Sequence, residues 1–445
     1  MLCRTAVPDF KPASGSLFGQ KIAIASMSAA APPLPEKSQL FSASISLLLA
    51  DGPELTQVSY QTAASEADLA DAGRSLDIEL EAAAAAGGSR FKNVTAARMN
   101  GPAARRAPAP ILRLTAPGDV VETVAPGLSA SGATDLFLAS ASSGRYFLLR
   151  ASDPSCQADG PAMPAEVLWE AQMPASGSML QHGYSGAGNW SGVSADSRSL
   201  SGYQSGSGGL RLALGRHTQR QALVVEHRPG DVASPPAVLL DAPCSSHPTH
   251  VGFHSLPSVS ATHDMVVILD GPAVNIFDLR QAERNGCAGR VHLPGVRSLY
   301  GCDSTAHGGG ALAVAGDDRT VYTIDPRKWS YAAAWPNSLK YEAGRVHFSP
   351  TAPMHVYSAG LGDSELTFSS IAGPQRGSRP STRVDGRWLG LAQTTAHGDD
   401  VVVGLTAQGT LYTLQGATWA FGYQPPTAAT AATSTSSTAA TMTNE

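Results

Sequence analysis

The feature of the sequence that most constrains the fold is a hairpin pattern that occurs seven times. Each copy has an apolar segment, a tight turn rich in Gly, Asp or Ser, and a second apolar segment, and alternation around such a turn is typical of a β-hairpin. The turns centre on Gly52, Gly144, Gly209, Gly271, Asp318, Asp363 and Gly409. The last three intervals are 47, 45 and 46 residues. They match a four-stranded propeller blade of about 40–45 residues.

A further short apolar segment precedes four of the hairpins, as expected for the inner strand of a blade. These segments lie at 249–259, 296–303, 344–350 and 387–394. The pattern therefore predicts an all-β chain, a seven-bladed WD40-like β-propeller whose closed ring protects its sheet edges. The hairpin GDDRTVYTIDPRKW (316–329) is assigned to the third and fourth strands of blade five. Blade three is the least regular, and the sequence leaves open whether it closes the ring or admits a partner's strand.

The domain organisation follows from where the pattern starts and stops. We expect a flexible N-terminal extension over 1–16, the propeller over 17–420 and a low-complexity, disordered tail over 421–445. An organelle transit peptide is the alternative for the N-terminus. An Ala-rich insertion, 61–110, separates blades one and two. A disordered loop is favoured there over an amphipathic helix docked on a partner, because the apolar spacing is irregular.

Composition argues against several classes of function. The net charge is −5, from 36 acidic and 31 basic residues, without a basic block, so direct nucleic-acid binding is not expected. No apolar run is long enough to insert in a membrane. The five cysteines are widely spaced without a C-x-x-C pair, which fits free thiols in a reducing compartment.

One cluster of metal-ligand residue types stands out. Cys244, His247, His250, His254 and His263 lie within 20 positions of one another. The pattern argues against a zinc site, because neighbouring residues of a strand point to opposite faces and no paired C-x-x-C anchor is present. The prediction is surface or capping histidines, with no metal and no cofactor.

No catalytic role is predicted for the two pairs of adjacent aspartates or for Ser185. Asp317–Asp318 and Asp399–Asp400 are predicted turn residues, since adjacent acids in a turn do not converge on one substrate. Ser185 does not satisfy G-x-S-x-G, so no catalytic nucleophile is predicted.

Glycines, tryptophans and two arginines complete the candidates. Gly186-Ala187-Gly188, with the next glycine at Gly192, does not form a phosphate-binding loop and is read as a flexible loop. Arg280 and Arg327 follow an Asp at a strand end, where structural contacts are favoured over partner contacts. The tryptophans are predicted core anchors of the blades; they are Trp169, Trp190, Trp329, Trp335, Trp388 and Trp419.

With the blades in order, the chain resembles a known family. SLFGQKIAIASMSAAAPPLP, GDVVETV followed by LFLASASSGRYFLLR, VSATHDMVVILDGPAVNIFDLRQ, GRVHFSPTAPMHVYSAGLGDSELTF and DDVVVGLTAQGTLYTL are similar to successive blades of one propeller. The chain thus resembles the family of small, forty-three kilodalton WD-repeat nucleoporins. These proteins belong to the Y complex, which forms the outer ring of the nuclear pore.

The resemblance implies a non-enzymatic scaffold subunit. Its expected partners are other nucleoporins of the Y complex, above all the α-helical subunit of the short arm. Its expected location is the nuclear pore at the nuclear envelope, where it supports mRNA and protein transport. No catalytic residue carries over, and the partner-binding residues are not identified. The alternative is a WD-repeat adaptor, such as a ubiquitin-ligase substrate receptor or a peroxisomal import receptor. A propeller enzyme would need channel acids or histidines, and only His254 and His347 stand out, as isolated residues.

Overall fold

The computed structural model describes residues 2–10, 20–29, 43–62, 98–100, 104–107, 109–126, 136–151, 165–173, 190–228, 235–260, 264–284, 286–370 and 381–415. These residues form seven sheets, antiparallel except for one short parallel pair, that follow one another along the chain, with inner strands that contact those of the next sheet. The prediction of an all-β, seven-bladed propeller is therefore confirmed.

The strands up to residue 292 are those of blades one to four together with β1 and β5, which belong to blade seven. They are β1 (Leu2–Ala6), β2 (Ile22–Ala29), β3 (Ala43–Asp51), β4 (Glu54–Gln61), β5 (Arg98–Asn100), β6 (Arg105–Arg106), β7 (Leu112–Arg113), β8 (Val121–Pro126), β9 (Leu136–Ala141), β10 (Arg145–Arg150), β11 (Glu166–Gln172), β12 (Trp190–Ala195), β13 (Leu210–Arg216), β14 (Gln221–His227), β15 (Ala237–Pro243), β16 (Pro248–His254), β17 (Met265–Asp270), β18 (Ala273–Phe277) and β19 (Cys287–His292).

Blades five to seven continue the series. Their strands are β20 (Leu299–Thr305), β21 (Ala311–Gly316), β22 (Val321–Asp325), β23 (Ser330–Trp335), β24 (Ala343–Phe348), β25 (His355–Gly360), β26 (Glu365–Ser370), β27 (Ser381–Arg383), β28 (Trp388–Ala396), β29 (Asp399–Thr406) and β30 (Thr410–Gln415). The α-helix α1 (Ser197–Gln204) and two 3-10 helices (Leu279–Arg284 and His307–Gly309) complete the described elements.

Within blades two to six, four strands pair in chain order from the central channel outward. The predicted inner strands are confirmed as β16, β20, β24 and β28. The repeated hairpins are formed by the second and third strands, so the assignment of 316–329 to the third and fourth strands is corrected. Blade three has all four strands, β12 to β15. Its hairpin turn lies at 217–220 rather than at Gly209; the turn contains no glycine, and Arg220 adopts the positive φ instead.

The ring is closed by strands from the two ends of the chain. Strand β1 pairs antiparallel with β30, from Leu2 opposite Leu414 to Ala6 opposite Thr410, and so becomes part of blade seven. Cys3 is completely buried, and its thiol donates to the Thr62 carbonyl at 3.0 Å. The predicted extension over 1–16 is corrected here, because residues 2–6 belong to the propeller. A five-residue strand whose partner lies about 400 positions away forms no local hairpin that would reveal it.

Glycines let the inner strands of neighbouring blades approach closely. A Cβ on Gly192 of β12 would lie 2.3 Å from the Val251 carbonyl oxygen of β16. A Cβ on Gly390 of β28 would lie 2.7 Å from Ile22 of β2, where blade seven meets blade one. Distances this short exclude any side chain at either position. Blade three is thus packed against blade four, and the ring is continuous there.

Part of the insertion is built into two blades. Strand β5 runs parallel to β1, and β6 pairs with β4, so these two short strands of the insertion add to blades seven and one. Residues 63–97, the larger part of the 61–110 insertion for which a disordered loop is favoured over a docked helix, lie outside the described residues, as does the tail after 415.

A buried aromatic cluster joins blades two and three. The Tyr146 hydroxyl and His227 Nε2 are 2.7 Å apart, and the His227 ring lies 4.5 Å from that of Trp169. Trp190, which is fully buried, meets Tyr146 edge-on. Burial lowers the pKa of His227 to about 4, so this histidine is neutral at physiological pH.

Deletion of residues 1–7 should destabilise the propeller strongly. The deletion removes the β1–β30 ladder and exposes the edge of β30, so we expect a loss of several kcal/mol in the free energy of unfolding. Denaturant unfolding followed by circular dichroism measures it. Deletion of residues 425–445 is the control and should leave the midpoint unchanged. An equal midpoint for both deletions would contradict closure by β1.

Acidification should destabilise the protein through His227. Its folded pKa lies below the usual 6.5. The unfolded chain therefore takes up the proton first, and stability falls as pH drops through the window from about 6.5 to about 4. Between pH 7 and 5 this histidine contributes a loss of about 2 kcal/mol. His227→Gln should reduce the pH dependence by that amount, whereas His292→Gln, at an exposed position, should not. Equal pH profiles for wild type and His227→Gln would contradict the burial argument.

Candidate functional site

The central channel of the propeller is a cavity of about 900 Å³, lined by inner strands of all seven blades. On blade one the wall of the channel is apolar, with Ala23, Ala25 and Met27 among its residues. On blades four to six the wall is polar. The residues that carry chemistry there are His250, His254, Cys302, Asp303, Arg345 and His347.

Three of these side chains bring their donor atoms together. His250 and His254, on β16, have their Nε2 atoms 2.9 Å apart. The thiol sulfur of Cys302, on β20 of the next blade, completes a group whose donor atoms all lie within 4.8 Å of one another. We call these three residues the channel triad.

Gly252 explains how the two histidines of the triad can meet. Residues 250, 252 and 254 lie on one face of the strand because side chains alternate with a period of two. A Cβ on Gly252 would lie 3.1 Å from His250 Nε2 and 3.5 Å from His254 Nε2. The two rings therefore occupy the space that a side chain at position 252 would need.

An acid, a histidine and an arginine lie next to the triad. Asp303 Oδ2 accepts a hydrogen bond from the Phe348 backbone N–H at 2.7 Å, and it lies 4.0 Å from His347 Nδ1. Arg345 donates to Gln20 Oε1 at 2.8 Å and to the Leu389 carbonyl at 2.9 Å. These contacts fix the polar wall of blade six against blades five and seven and against the segment that enters blade one.

Burial dominates the electrostatics of the channel wall. It lowers the pKa of His250 and of His347 to about 4, and it lowers that of His254 well below its usual range. Burial also raises the pKa of the Cys302 thiol and brings that of Asp303 to about 6. At neutral pH the wall therefore presents neutral imidazoles, which have a lone pair for a hydrogen-bond donor or a metal ion.

The structure divides the predicted histidine cluster. His250 and His254 meet in the channel, whereas the exposed His247 lies against His217 with ring centroids 4.8 Å apart and the rings tilted by 32°. Cys244 is half-buried beside Ala242, and His263 lies outside the described residues. The expectation that His254 and His347 are isolated is corrected. The sequence signal is H-V-G-F-H: only adjacent residues of a strand point to opposite faces, so two histidines four positions apart share one face, with a glycine between them.

The two acid pairs differ in position. Asp317 and Asp318 cap a turn, as predicted: Asp317 accepts from the Arg297 backbone N–H, and Asp318 accepts from that of Thr320. Asp399 and Asp400 begin β29 instead, and both are buried. The turn prediction for that pair is corrected. Asp400 accepts hydrogen bonds from groups of blade six, which are the Ser349 hydroxyl, the Thr351 N–H and hydroxyl, and the Tyr357 hydroxyl.

The remaining candidates have structural surroundings. Arg280 and Arg327 each form a bidentate ion pair with the aspartate two residues earlier, Asp278 and Asp325, as the sequence led us to expect. Four tryptophans are buried in blade cores. Trp329 is partly buried and packs against the hydrophobic core shared by blades four and five. Gly192 lies in β12 rather than in a loop, while Ser185, 186–188 and Trp419 are outside the described residues.

Comparison with known proteins supports the fold. No protein-family profile and no curated protein sequence matches the chain. In structure, 1005 solved chains match it. One is a chain of the crystal structure of the mitotic checkpoint complex, with a TM-score of 0.52, 11% identity, and coverage of 93% of both chains. That neighbour is a WD40 propeller. At such low identity the likeness establishes the architecture alone.

Alkylation should distinguish two of the cysteines. Cys287 is exposed, whereas Cys302 is buried with a raised thiol pKa. The thiolate is the reactive form, so in metal-free protein Cys302 should react at least about 10-fold more slowly with a maleimide than Cys287. Peptide mass spectrometry over a time course measures both rates, and addition of denaturant should equalise them. Equal rates in the folded protein would contradict the placement of Cys302.

Proposed function

We propose that this protein is a non-enzymatic scaffold that docks other proteins on its propeller surface, and that its assembly is the outer ring of the nuclear pore. The main support for docking is the fold. Seven blades packed by buried aromatic and aliphatic side chains form a rigid body with two loop-bearing ends and an outer rim, and propellers of this kind suit recognition of several partners at once.

Exposed apolar side chains indicate where a partner could dock. Val238 and Leu239 lie on β15, the outer strand of blade three, with 48% and 39% of their surface exposed. Tyr331, on the outer strand of blade five, and Tyr341, in the loop before blade six, are each 51% exposed. Exposed aromatic residues are frequent anchors of protein interfaces.

Nuclear pore membership rests on the resemblance of consecutive blade sequences to the small WD-repeat nucleoporins. That family implies partners in the Y complex and a location at the nuclear envelope. The similar propeller from the crystal structure of the mitotic checkpoint complex is also a component of a multi-protein assembly. A WD-repeat adaptor of a ubiquitin ligase or of peroxisomal import remains the second candidate, because the same fold serves those assemblies.

Affinity purification of the tagged, full-length protein from its native cells tests the assembly. Mass spectrometry at moderate salt should recover the outer-ring nucleoporins together. Recovery of ligase or peroxisomal import components without nucleoporins would overturn the nuclear pore assignment and leave the scaffold role standing. Recovery of neither group would count against both candidates.

Surface variants then locate the docking face. Val238→Ser with Leu239→Ser tests the rim at blade three, Tyr331→Ser the rim at blade five, and Tyr341→Ser one loop-bearing end. All four positions are exposed, so these variants should keep the thermal stability of the wild type. A variant that removes the anchor should reduce partner recovery at least about 10-fold. Unchanged recovery in every variant would show that these residues do not form the docking face.

A further inference from the structure

We propose that the channel triad, His250, His254 and Cys302, is a Zn²⁺ site inside the propeller, with the fourth coordination position open to the channel. This site goes beyond the scaffold role. It rests on the convergence of two imidazole nitrogens and one thiol sulfur in the polar part of the channel wall.

The donor types and their number suit zinc. Thiolate sulfur and imidazole nitrogen are the preferred ligands of Zn²⁺, and three protein ligands with one exchangeable position is a known zinc arrangement. With Zn–N near 2.0–2.1 Å and Zn–S near 2.3 Å, tetrahedral geometry requires ligand atoms about 3.3 to 3.6 Å apart. The two Nε2 atoms are 2.9 Å apart, and all three donors lie within 4.8 Å. The longest separation must then shorten by about 1.2 Å and that of the two Nε2 atoms must lengthen by about 0.4 Å, and both changes are within the reach of side-chain rotation.

The backbone around the triad holds this convergence in place. Both histidines are on one face of β16, and Gly252 between them leaves the space into which their rings turn. Cys302 comes from β20, the neighbouring inner strand, so a bound metal would join blade four to blade five. His254 and Cys302 are only 6% and 8% exposed, and the thiol forms no disulfide. A hydrogen bond between the two imidazoles accounts for their contact, but it gives no role to the thiol that faces them.

The cavity supplies access and room for a fourth ligand. The triad lies in the wall of the 900 Å³ channel, so an ion can enter from a loop-bearing end and a water molecule can occupy the open position. Copper also accepts two histidines and one cysteine. Zinc suits the site better, because it adopts four-coordinate geometry with these ligands and has a single stable oxidation state.

Cobalt titration of the full-length, metal-free protein tests the site directly. Co²⁺ replaces Zn²⁺ with the same ligands and is visible spectroscopically. We expect one equivalent to produce a thiolate-to-cobalt charge-transfer band together with the d–d bands of four-coordinate cobalt. One equivalent of Zn²⁺ should abolish both. No charge-transfer band at one equivalent, or cobalt bands that Zn²⁺ does not displace, would overturn the proposal. Displacement by Cu⁺ but not by Zn²⁺ would overturn the assignment of zinc.

Variants identify the ligands. Cys302→Ser should eliminate the charge-transfer band, and His254→Gln should weaken Zn²⁺ binding by more than about 100-fold, the upper end of the loss from an outer-sphere change. Matched controls are Cys287→Ser and His247→Gln, which change an exposed cysteine and an exposed histidine outside the channel. Both should bind as the wild type does. Retention of the band in Cys302→Ser, or its loss in Cys287→Ser, would place the thiol ligand elsewhere.

A measurement on the wild type keeps the test decisive if Cys302→Ser fails to fold. Bound Zn²⁺ should slow alkylation of Cys302 beyond the protection from burial and leave Cys287 unaffected, as peptide mass spectrometry would show. Unchanged labelling of Cys302 at saturating Zn²⁺ would contradict ligation by its sulfur.

Discussion

The propeller depends on the pairing of a strand from the beginning of the chain with one near its end. Strand β1 completes the sheet of blade seven by its ladder with β30, so blade seven requires residues separated by about 400 positions. Without that ladder, β30 would present an open edge. The same junction is reinforced inside the ring. Gly390 allows β28 to touch β2, and the Gln20 side chain donates to the Leu391 carbonyl while accepting from Arg345.

Two other junctions between blades are held together by different contacts. Blades two and three share the aromatic cluster around Tyr146, His227 and Trp190. Blades six and seven share the buried Asp400, whose carboxylate accepts four hydrogen bonds from blade six. Buried polar groups of this kind are stable only when their partners are in place. The inner part of the ring is therefore fixed, while the outer strands β15 and β23 carry exposed apolar side chains.

Local patterns in the sequence predicted the blades well, because a hairpin depends on residues close together in the chain. Alternation around Gly271 or Asp318 is enough to identify one. The sequence failed where the determining contact is distant. Residues 2–6 pair with a strand about 400 positions away and not with a neighbour across a hairpin. The blade-three turn at 217–220 uses Arg220 at positive φ where a glycine was expected. The channel triad was missed because neither of the contacts that form it shows in a hairpin pattern. Its histidines share a strand face through Gly252, and Cys302 comes from another blade 48 residues further along the chain than His254.

Hydrogen–deuterium exchange of residues 2–6 tests the closed ring most directly. If β1 is a strand of blade seven, its amides that donate to the ladder should exchange as slowly as those of 410–415, and both segments should lose protection in the same unfolding event. Exchange of residues 2–6 at the rate of an unstructured peptide, with 410–415 still protected, would contradict the account and favour a flexible N-terminal extension.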